Sequence, residues 1–441
     1  MKMSQVLGKA TSSGSGVIAA AAVGFGLTVV LSRTLPPQTF GAVAIALTWA
    51  TIGSQFAQLG LLRSSTKIVA TTRASDDSGG LKAFLIFALA ISTFASCVGS
   101  IALLALLHVQ GESDGLQFST ALLAAGLLLP MTICRIISGV LLGESRSFIG
   151  AFSQTGLPSL GLLIGLFCFL AVGSTTSQFG LFEILVYGAF AATLAGLGTV
   201  AWRFRDILTA KVAGYPVREW LSLSLPLMIV GGMQLLNRQI GVSVLGSTHG
   251  PEVVAAYYPA LRISDFALVA EMGINAALAA HVAVMYKNGQ KSLLQATLKK
   301  AAVVAFSLTA IFVFCGIITA PWLLSLFGGV AAEGVMPLRI LLFGQLIAGA
   351  CGSVGMVTAM TGQERFTAAT ATITLVLNLG VLWLMVPDYA AVGAAIATAF
   401  AAILWNFVLL ARCRQTLKVD PSILSIKRDD LIKLANRLRI R

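Results

Sequence analysis

Charged residues are scarce in this chain of 441 residues. They make up 11% of the sequence, whereas soluble domains contain roughly 25%. Hydrophobic residues account for 57%, and the mean hydropathy is +0.90. Apolar stretches recur at lengths of about 20 residues or more, the length that a helix needs to cross the hydrocarbon core of a bilayer. The composition excludes an ordinary soluble domain and predicts a polytopic membrane protein.

Sequence motifs for nucleotide, metal or covalent chemistry are also lacking. Gly8 and Lys9 are followed by Ala10 and lack the earlier glycine of a phosphate-binding loop. The six cysteines form no C-x-x-C pair, and no H-E-x-x-H or G-x-S-x-G pattern occurs. We therefore expect no enzymatic activity, no cofactor and no metal site.

The apolar stretches predict α-helices, because hydrocarbon cannot hydrogen-bond to free backbone groups and no alternating barrel pattern occurs. We therefore predict an all-α protein with about twelve transmembrane helices. The predicted spans are 14–33, 40–62, 81–107, 117–142, 148–172, 179–202, 221–246, 252–285, 301–327, 335–361, 366–386 and 390–411.

The net charge of +13 is distributed unevenly between the loops. Most lysines and arginines lie in alternate loops, such as 63–82, 203–218 and 287–300, and in the C-terminal stretch that begins at Arg412. The intervening loops hold almost none. This bias places both termini in the cytoplasm by the positive-inside rule. Because no basic patch with interleaved aromatic residues occurs, we expect no nucleic-acid partner.

Two pairs of similar segments indicate an internal repeat. Pro-Pro-Gln-Thr-Phe-Gly (36–41) matches Gly-Pro-Glu-Val-Val-Ala (250–255), and Gly-Glu-Ser-Arg-Ser-Phe (143–148) matches Gly-Gln-Glu-Arg-Phe (362–366). Both pairs are separated by nearly the same interval, which contains six spans. An even number of spans gives a parallel repeat about an axis along the membrane normal, with a central cavity between the lobes.

The repeat divides the chain into two six-helix lobes. We predict an N-terminal lobe over 1–202, a cytoplasmic linker over 203–220 and a C-terminal lobe over 221–412. A basic cytoplasmic tail would follow over 413–441. Its apolar and basic residues from 418 to 441 predict either an amphipathic helix on the anionic inner leaflet or a solvated tail.

The chain resembles a known family at two motifs. Ser-Arg-Thr-Leu-Pro-Pro-Gln-Thr-Phe-Gly (32–41) resembles the family turn R-x-L-G-P-x-x-F-G, and Gln-Leu-Gly-Leu-Leu-Arg (58–63) resembles its D-x-G-L element, with Gln58 at the acidic position. Both motifs are features of the Wzx-type flippases, the polysaccharide-transporter branch of the multidrug/oligosaccharidyl-lipid/polysaccharide (MOP) exporter superfamily. The resemblance implies a polyprenyl-diphosphate-linked oligosaccharide as substrate and the bacterial plasma (inner) membrane as location. It also makes a polysaccharide polymerase a candidate partner, besides membrane lipids.

Arginine is the basic residue found deep within the predicted spans. Arg135, Arg238 and Arg262 lie there, whereas no lysine does. Guanidinium is weakly hydrated and binds phosphate bidentately, so we predict these arginines, with Asp265, as substrate-binding residues in the cavity. Two structural alternatives stay open: Arg262 and Asp265 neutralise each other at i and i+3, or Arg135 extends to the headgroups.

Two further polar residues are candidates for ion coupling. Glu271 lies near the middle of the eighth predicted span, and Asn275 follows one helical turn later. A proton or sodium site and a structural hydrogen bond between helices are both compatible with this pair.

For the whole chain we predict a flippase. The alternatives are an ion-coupled multidrug exporter of the same superfamily, which would favour acidic cavity residues, and a membrane-embedded sugar transferase.

Overall fold

The computed structural model of the chain describes residues 3–109, 115–144, 146–171, 178–212, 214 and 216–425. Its α-helices within these ranges are α1 (Met3–Thr34), α2 (Pro37–Ala57), α3 (Leu61–Ala74), α4 (Ser78–Val109), α5 (Gly115–Gly143), α6 (Ser147–Ala171), α7 (Gln178–Arg203), α8 (Arg205–Leu208), α9 (Val217–His249), α10 (Pro251–Asp265), α11 (Val269–Lys287), α12 (Lys291–Ser325), α13 (Val335–Ala350), α14 (Val354–Met360) and α15 (Glu364–Arg412). Short 3₁₀ or π turns lie at Phe266–Leu268, Gly329–Gly334, Cys413–Leu417 and Ile423–Ser425.

The described residues contain 11 helical stretches that are long and apolar enough to cross a membrane. The last one, Glu364–Leu417, has 54 residues, about twice the length of one crossing. Its helix reverses at Ala390, where φ is 44° and ψ is −121°. The reversal brings its two ends together, because Arg412 Nε donates to Gln363 Oε1 at 3.0 Å. This stretch is therefore long enough for two spans, and the prediction of an all-α membrane protein with about twelve transmembrane helices is confirmed.

The two halves of the chain close their helix bundles in the same way. Arg203 ends α7, and its Nε donates to Oε2 of Glu144 at 3.2 Å. Arg412 ends α15, and its Nε and second terminal nitrogen donate to Oε1 of Gln363 at 3.0 and 2.8 Å. Glu144 and Gln363 hold matching positions in the two loop segments that define the repeat. The internal repeat is therefore visible in side-chain contacts as well as in the sequence.

Three predicted spans are divided differently in the structure. The span 252–285 is interrupted by the 3₁₀ turn Phe266–Leu268, and 335–361 is interrupted between α13 and α14. The span 40–62 ends at Ala57, after which α3 begins at Leu61. Each interruption retains apolar residues, so a hydropathy pattern cannot distinguish it from continuous helix. Interrupted helices are typical of the binding regions of membrane transporters.

The two halves meet at a first seam, which we define by Arg33, Gly41, Pro251, Ser325 and Leu326. Arg33 lies in the last turn of α1 and donates from Nε to the Leu326 carbonyl at 2.6 Å and from a terminal nitrogen to the Ser325 carbonyl at 3.2 Å. A Cβ atom on Gly41 would lie 1.7 Å from the Pro251 carbonyl oxygen. The backbones of α2 and α10 therefore approach so closely that this position excludes any side chain.

A second seam, defined by Gly60, Ser64 and Ser224, lies at the other end of α2. Gly60 has φ +78°, and a Cβ atom there would lie 2.0 Å from the Ser224 carbonyl oxygen. The Ser64 and Ser224 hydroxyls are 2.6 Å apart. Nearby, Trp220 at the start of α9 packs edge-on against Phe84 of α4, with ring centroids 5.3 Å apart. Helix α2 therefore contacts the C-terminal half at both of its ends.

The predicted linker and tail are only partly described. Phe204 and Ile207 of the segment 203–220 are buried in the cluster that contains Phe84 and Trp220. At the other end, Asp420 accepts from Arg414 Nε at 2.8 Å, and its backbone carbonyl accepts from Gln295 at 2.7 Å. Most of the predicted amphipathic stretch 418–441 lies outside the described residues. The lobe, linker and tail boundaries therefore stay predictions.

Candidate substrate-binding site

Two arginines share one carboxylate in the C-terminal half. A terminal nitrogen of Arg238, on α9, donates to Oδ1 of Asp265 at 2.6 Å. Arg262, one turn before Asp265 on α10, approaches Oδ2 with its own terminal nitrogen at 3.5 Å. Arg262 also donates to the Tyr258 hydroxyl, and its guanidinium carbon lies 4.6 Å from the Tyr258 ring centroid. The cluster therefore carries two positive charges against one negative charge.

The charged side chains of this cluster are partly accessible. The exposed fractions are 42% for Arg238, 26% for Arg262 and 23% for Asp265. Residues 254–261 of α10 are buried without interruption. Arg262 and Asp265 follow this buried stretch, and their side chains keep an accessible part in the middle of a chain segment that is otherwise packed.

Arg238 also points away from the lipid-facing side of α9. Ile229 is exposed and lies nine residues earlier, which places it on the opposite side of a helix with 3.6 residues per turn. Gly231 lies two turns before Arg238 on nearly the same face, and a Cβ atom there would meet Gln55 of α2 at 2.7 Å. Arg238 therefore lies on the side of α9 that packs against α2 of the N-terminal half.

Arg135 lies in the N-terminal half and is 6% exposed. Its Nε donates to Ser54 Oγ at 3.1 Å, and a terminal nitrogen donates to Gln55 Oε1 at 2.9 Å. No carboxylate among the described residues forms an ion pair with it. Burial of this side chain argues against the alternative in which Arg135 extends to the headgroups.

Gln55 lies between Arg135 and the helix that carries Arg238. Its carbonyl oxygen accepts from Arg135, and its amide nitrogen lies against Gly231 of α9. Arg238 follows Gly231 by two turns, about 10 Å along the helix axis. Arg135 and Arg238 therefore lie on facing helices of the two halves, at different depths. Among the described residues, Arg135 forms its side-chain hydrogen bonds with the neutral groups of Ser54 and Gln55.

The proposed coupling residues lie apart from the arginine cluster. Glu271 and Asn275 are partly buried in α11, after the 3₁₀ turn Phe266–Leu268, and their side chains interact. Asn275 Oδ1 is buried and has no hydrogen-bond partner within the described part of the chain. Glu271 is also within electrostatic range of Cys351, at the interruption between α13 and α14. The structure therefore places this pair between two interrupted helices and does not join it to Arg262.

Three polar residues that contact the arginines were not predicted from the sequence. Tyr258 lies four residues before Arg262, and helical spacing alone brings both to one face. Ser54 and Gln55 contact Arg135 from a helix distant in sequence. No local pattern could reveal that pairing, because it depends on how α2 packs against α5.

A family model described as polysaccharide biosynthesis protein matches residues 6–265, more than half of the chain. The chain belongs to this family. A second model, MatE, matches residues 226–384. Together with the structural neighbours, these matches place this chain in the MOP exporter superfamily, in its Wzx-like polysaccharide-transporter branch. No curated protein sequence matches it significantly.

Solved structures share the fold of this family member. A MOP superfamily transporter from Pyrococcus furiosus, noted for a binding pocket of reverse polarity, is 19% identical, covers 95% of this chain and 98% of its own, and has a TM-score of 0.69. An inward-facing multidrug resistance MATE transporter is 18% identical over 91% and 98% of the two chains, with a TM-score of 0.71. An outward-facing MATE transporter reaches 0.66 at 18% identity over 95% and 96%. This chain is thus a multi-pass membrane transporter, since the two matching families and the structural neighbours are transporters rather than enzymes.

Proposed function

We propose that the protein is a flippase that moves polyprenyl-diphosphate-linked oligosaccharides across the bacterial plasma membrane for surface polysaccharide synthesis. The observation that carries this proposal is the excess of guanidinium over carboxylate in the interior. Arg238 and Arg262 share Asp265, and Arg135 has no carboxylate partner among the described residues. Guanidinium groups bind phosphate oxygens bidentately and keep their charge inside proteins. The substrate would be an anion.

The cluster geometry supports a role in holding the diphosphate. Asp265 keeps Arg238 and Arg262 side by side in the absence of substrate, at 2.6 and 3.5 Å. A diphosphate carries more negative charge than one carboxylate and would replace Asp265 as their partner. Arg135 would offer a further cationic contact in the opposite half. The sugar would fill the space between the halves, and the lipid tail would stay in the bilayer.

Alternating access is the mechanism that fits this fold. Transporters of similar fold are known in inward-facing and outward-facing conformations. With both termini in the cytoplasm, the substrate would enter beside the second seam and leave beside the first. Glu271 and Asn275 are candidates for coupling this cycle to protons or sodium, because an ionisable residue within a span usually serves a pathway. A polysaccharide polymerase would be a partner on the outer side.

An ion-coupled multidrug exporter is the second candidate function. It is favoured by the MatE match and by the multidrug transporters among the structural neighbours. Organic cations would require a negatively charged cavity, however, and the described arginine cluster has the opposite sign. The charge balance of the site therefore favours the flippase.

The decisive experiment compares two substrates in proteoliposomes. Wild type, Arg262→Ala and the control Arg339→Ala would be assayed with a fluorescent lipid-linked oligosaccharide and with an organic cation. Arg339 is an exposed arginine of α13 outside the cluster. We expect wild type and Arg339→Ala to move the lipid, and Arg262→Ala to lose at least about tenfold in rate, as expected for a charge-assisted contact of roughly 1.5–3 kcal/mol.

Arg238→Lys adds a test of geometry. Lysine keeps the charge but lacks the planar fork of guanidinium, so we expect the variant to retain only part of the wild-type transport rate. Movement of the cation but not the lipid by wild type would overturn the flippase proposal. Equal rates for Arg262→Ala and Arg339→Ala would show that the cluster does not bind the substrate.

A further inference from the structure

An apolar groove of about 180 Å³ lies between α5 and α7, away from the arginine cluster. Its lining residues are Ser119, Leu122, Leu123, Gly126, Phe182, Glu183, Val186 and Tyr187. The groove is close to the ends at which α5 and α7 begin, because Ser119 and Glu183 lie within the first two turns of their helices. It is too small for an oligosaccharide and is shaped by two neighbouring helices, as a channel for a hydrocarbon chain would be.

The groove opens on the lipid-facing surface. Leu122 on α5 is exposed, and Tyr187 on α7 is 67% exposed. Exposed residues recur on α7 at 183, 187, 191 and 194, the spacing of one helix face. In a bilayer this face would lie against acyl chains, which makes a lipid chain the natural occupant of the apolar part of the groove.

Glu183 gives the groove a charged end. Its side chain is exposed and has no ion-pair partner among the described residues. Glu183 lies five residues into α7, roughly 7–8 Å along the helix axis. In the predicted topology this position would lie near the outer end of the span, where a cationic partner would stabilise a carboxylate that faces lipid.

From the apolar groove and its single carboxylate, we infer a binding site for a phospholipid with a primary-amine headgroup. One acyl chain would lie in the groove against Leu122 and Val186, and the headgroup ammonium would pair with Glu183. A primary ammonium donates hydrogen bonds as well as charge, whereas a trimethylated headgroup cannot donate. Anionic lipids, including a diphosphate carrier, are repelled by the same carboxylate. The inference is independent of the transported substrate.

Native mass spectrometry of the purified full-length protein would test this site. The probes are phosphatidylethanolamine, phosphatidylcholine and phosphatidylglycerol, added in equal amounts. We expect wild type to bind phosphatidylethanolamine most strongly. Glu183→Gln should lower that binding by up to about fivefold, the upper limit for an exposed ion pair of about 1 kcal/mol. The control Glu252→Gln, which changes an exposed carboxylate at the start of α10, should leave it unchanged.

A second variant tests the apolar part of the site. Val186→Phe should fill the groove and lower the binding of all three lipids, while thermal unfolding verifies that the variant is folded. Equal binding of phosphatidylethanolamine and phosphatidylcholine by wild type would overturn the inference. A preference for phosphatidylethanolamine that survives Glu183→Gln would also overturn it, because the headgroup would then be recognised elsewhere.

Discussion

Asp265 is the residue on which the chemistry of the arginine cluster depends. It is the carboxylate that pairs with both Arg238 and Arg262, and it ends α10 immediately before the 3₁₀ turn Phe266–Leu268. Without it, two guanidinium groups would face each other across α9 and α10 with no anion between them. Asp265 thus has two opposing effects: it stabilises the empty site and competes with any anionic substrate.

These effects predict how Asp265→Asn behaves. Loss of the competing carboxylate should strengthen binding of inorganic pyrophosphate about five- to tenfold, which corresponds to about 1–1.4 kcal/mol. The same change should lower the melting temperature of the empty protein, because two partly buried cations lose their shared partner. Calorimetric titration and thermal unfolding would measure the two quantities.

Asp388→Asn is the matched control, since Asp388 is exposed near the reversal of α15 and distant in sequence from the cluster. It should change neither pyrophosphate binding nor melting temperature. If Asp265→Asn bound pyrophosphate more weakly than wild type, Asp265 would be part of the anion site through other contacts, and the competition described above would be refuted.

At the scale of elements, α2 explains why the two resembling motifs contain their glycines. Gly41 is in the first turns of α2, against Pro251, and Gly60 follows its C-terminal end, against Ser224. Both positions bring backbone into contact with the C-terminal half at distances that no side chain permits. The motifs therefore encode the contacts of one helix with two seams rather than direct substrate contacts.

Gly41→Ala should consequently be destabilising, although alanine is favoured over glycine in helices by about 1 kcal/mol. The added Cβ would lie 1.7 Å from the backbone oxygen of Pro251, the first residue of α10. Forcing these helices apart should cost about 1–3 kcal/mol, as overpacking does elsewhere. Thermal unfolding in detergent would measure this effect.

The comparison for this prediction is Gly380→Ala, a helical position in α15 where an added Cβ atom would have no neighbour within 4 Å among the described residues. This variant should be neutral or slightly stabilised. A Gly41→Ala protein as stable as Gly380→Ala would mean that α2 and α10 do not pack as closely as described.

Hydropathy and charge bias were sufficient to predict the all-α class and about how many helices cross the membrane, because crossing a bilayer imposes length and composition on each span. They did not predict the interruption Phe266–Leu268 or the separate helix α3, since apolar residues continue through both. The repeat could be predicted because Glu144 and Gln363 occupy matching turns. For the site, the types of residue were informative, but the contact of Arg135 with Gln55 required the packing of α2 against α5.

At the scale of the whole molecule, both seams are closed. Arg33 bonds to the Ser325 and Leu326 carbonyls at the first seam, while Ser64 contacts Ser224 at the second. The arginine cluster lies between these two contacts along α9 and α10. In the proposed alternating-access cycle, a site between two such contacts would exchange substrate with one side only when the corresponding seam separates. Each seam would then be a gate that opens once per cycle.

A cross-link across the second seam should therefore stop transport. The Ser64 and Ser224 oxygens are 2.6 Å apart, close to the S–S distance of about 2.0 Å in a disulfide. In a background without the native cysteines, Ser64→Cys combined with Ser224→Cys should form a disulfide under mild oxidation. Transport in proteoliposomes should fall to the background level and return after reduction, because substrate enters beside this seam in the proposed cycle.

The single variants Ser64→Cys and Ser224→Cys separate the cross-link from the substitutions. Each should transport at nearly the wild-type rate and should not respond to the oxidant, because neither can form the intramolecular disulfide. Electrophoretic mobility after proteolytic cleavage between the halves would measure how much of the double variant is cross-linked. If fully cross-linked protein transported at the rate of its reduced form, substrate would pass without separating α3 from α9. Alternating access between these two seams would then be wrong for this protein.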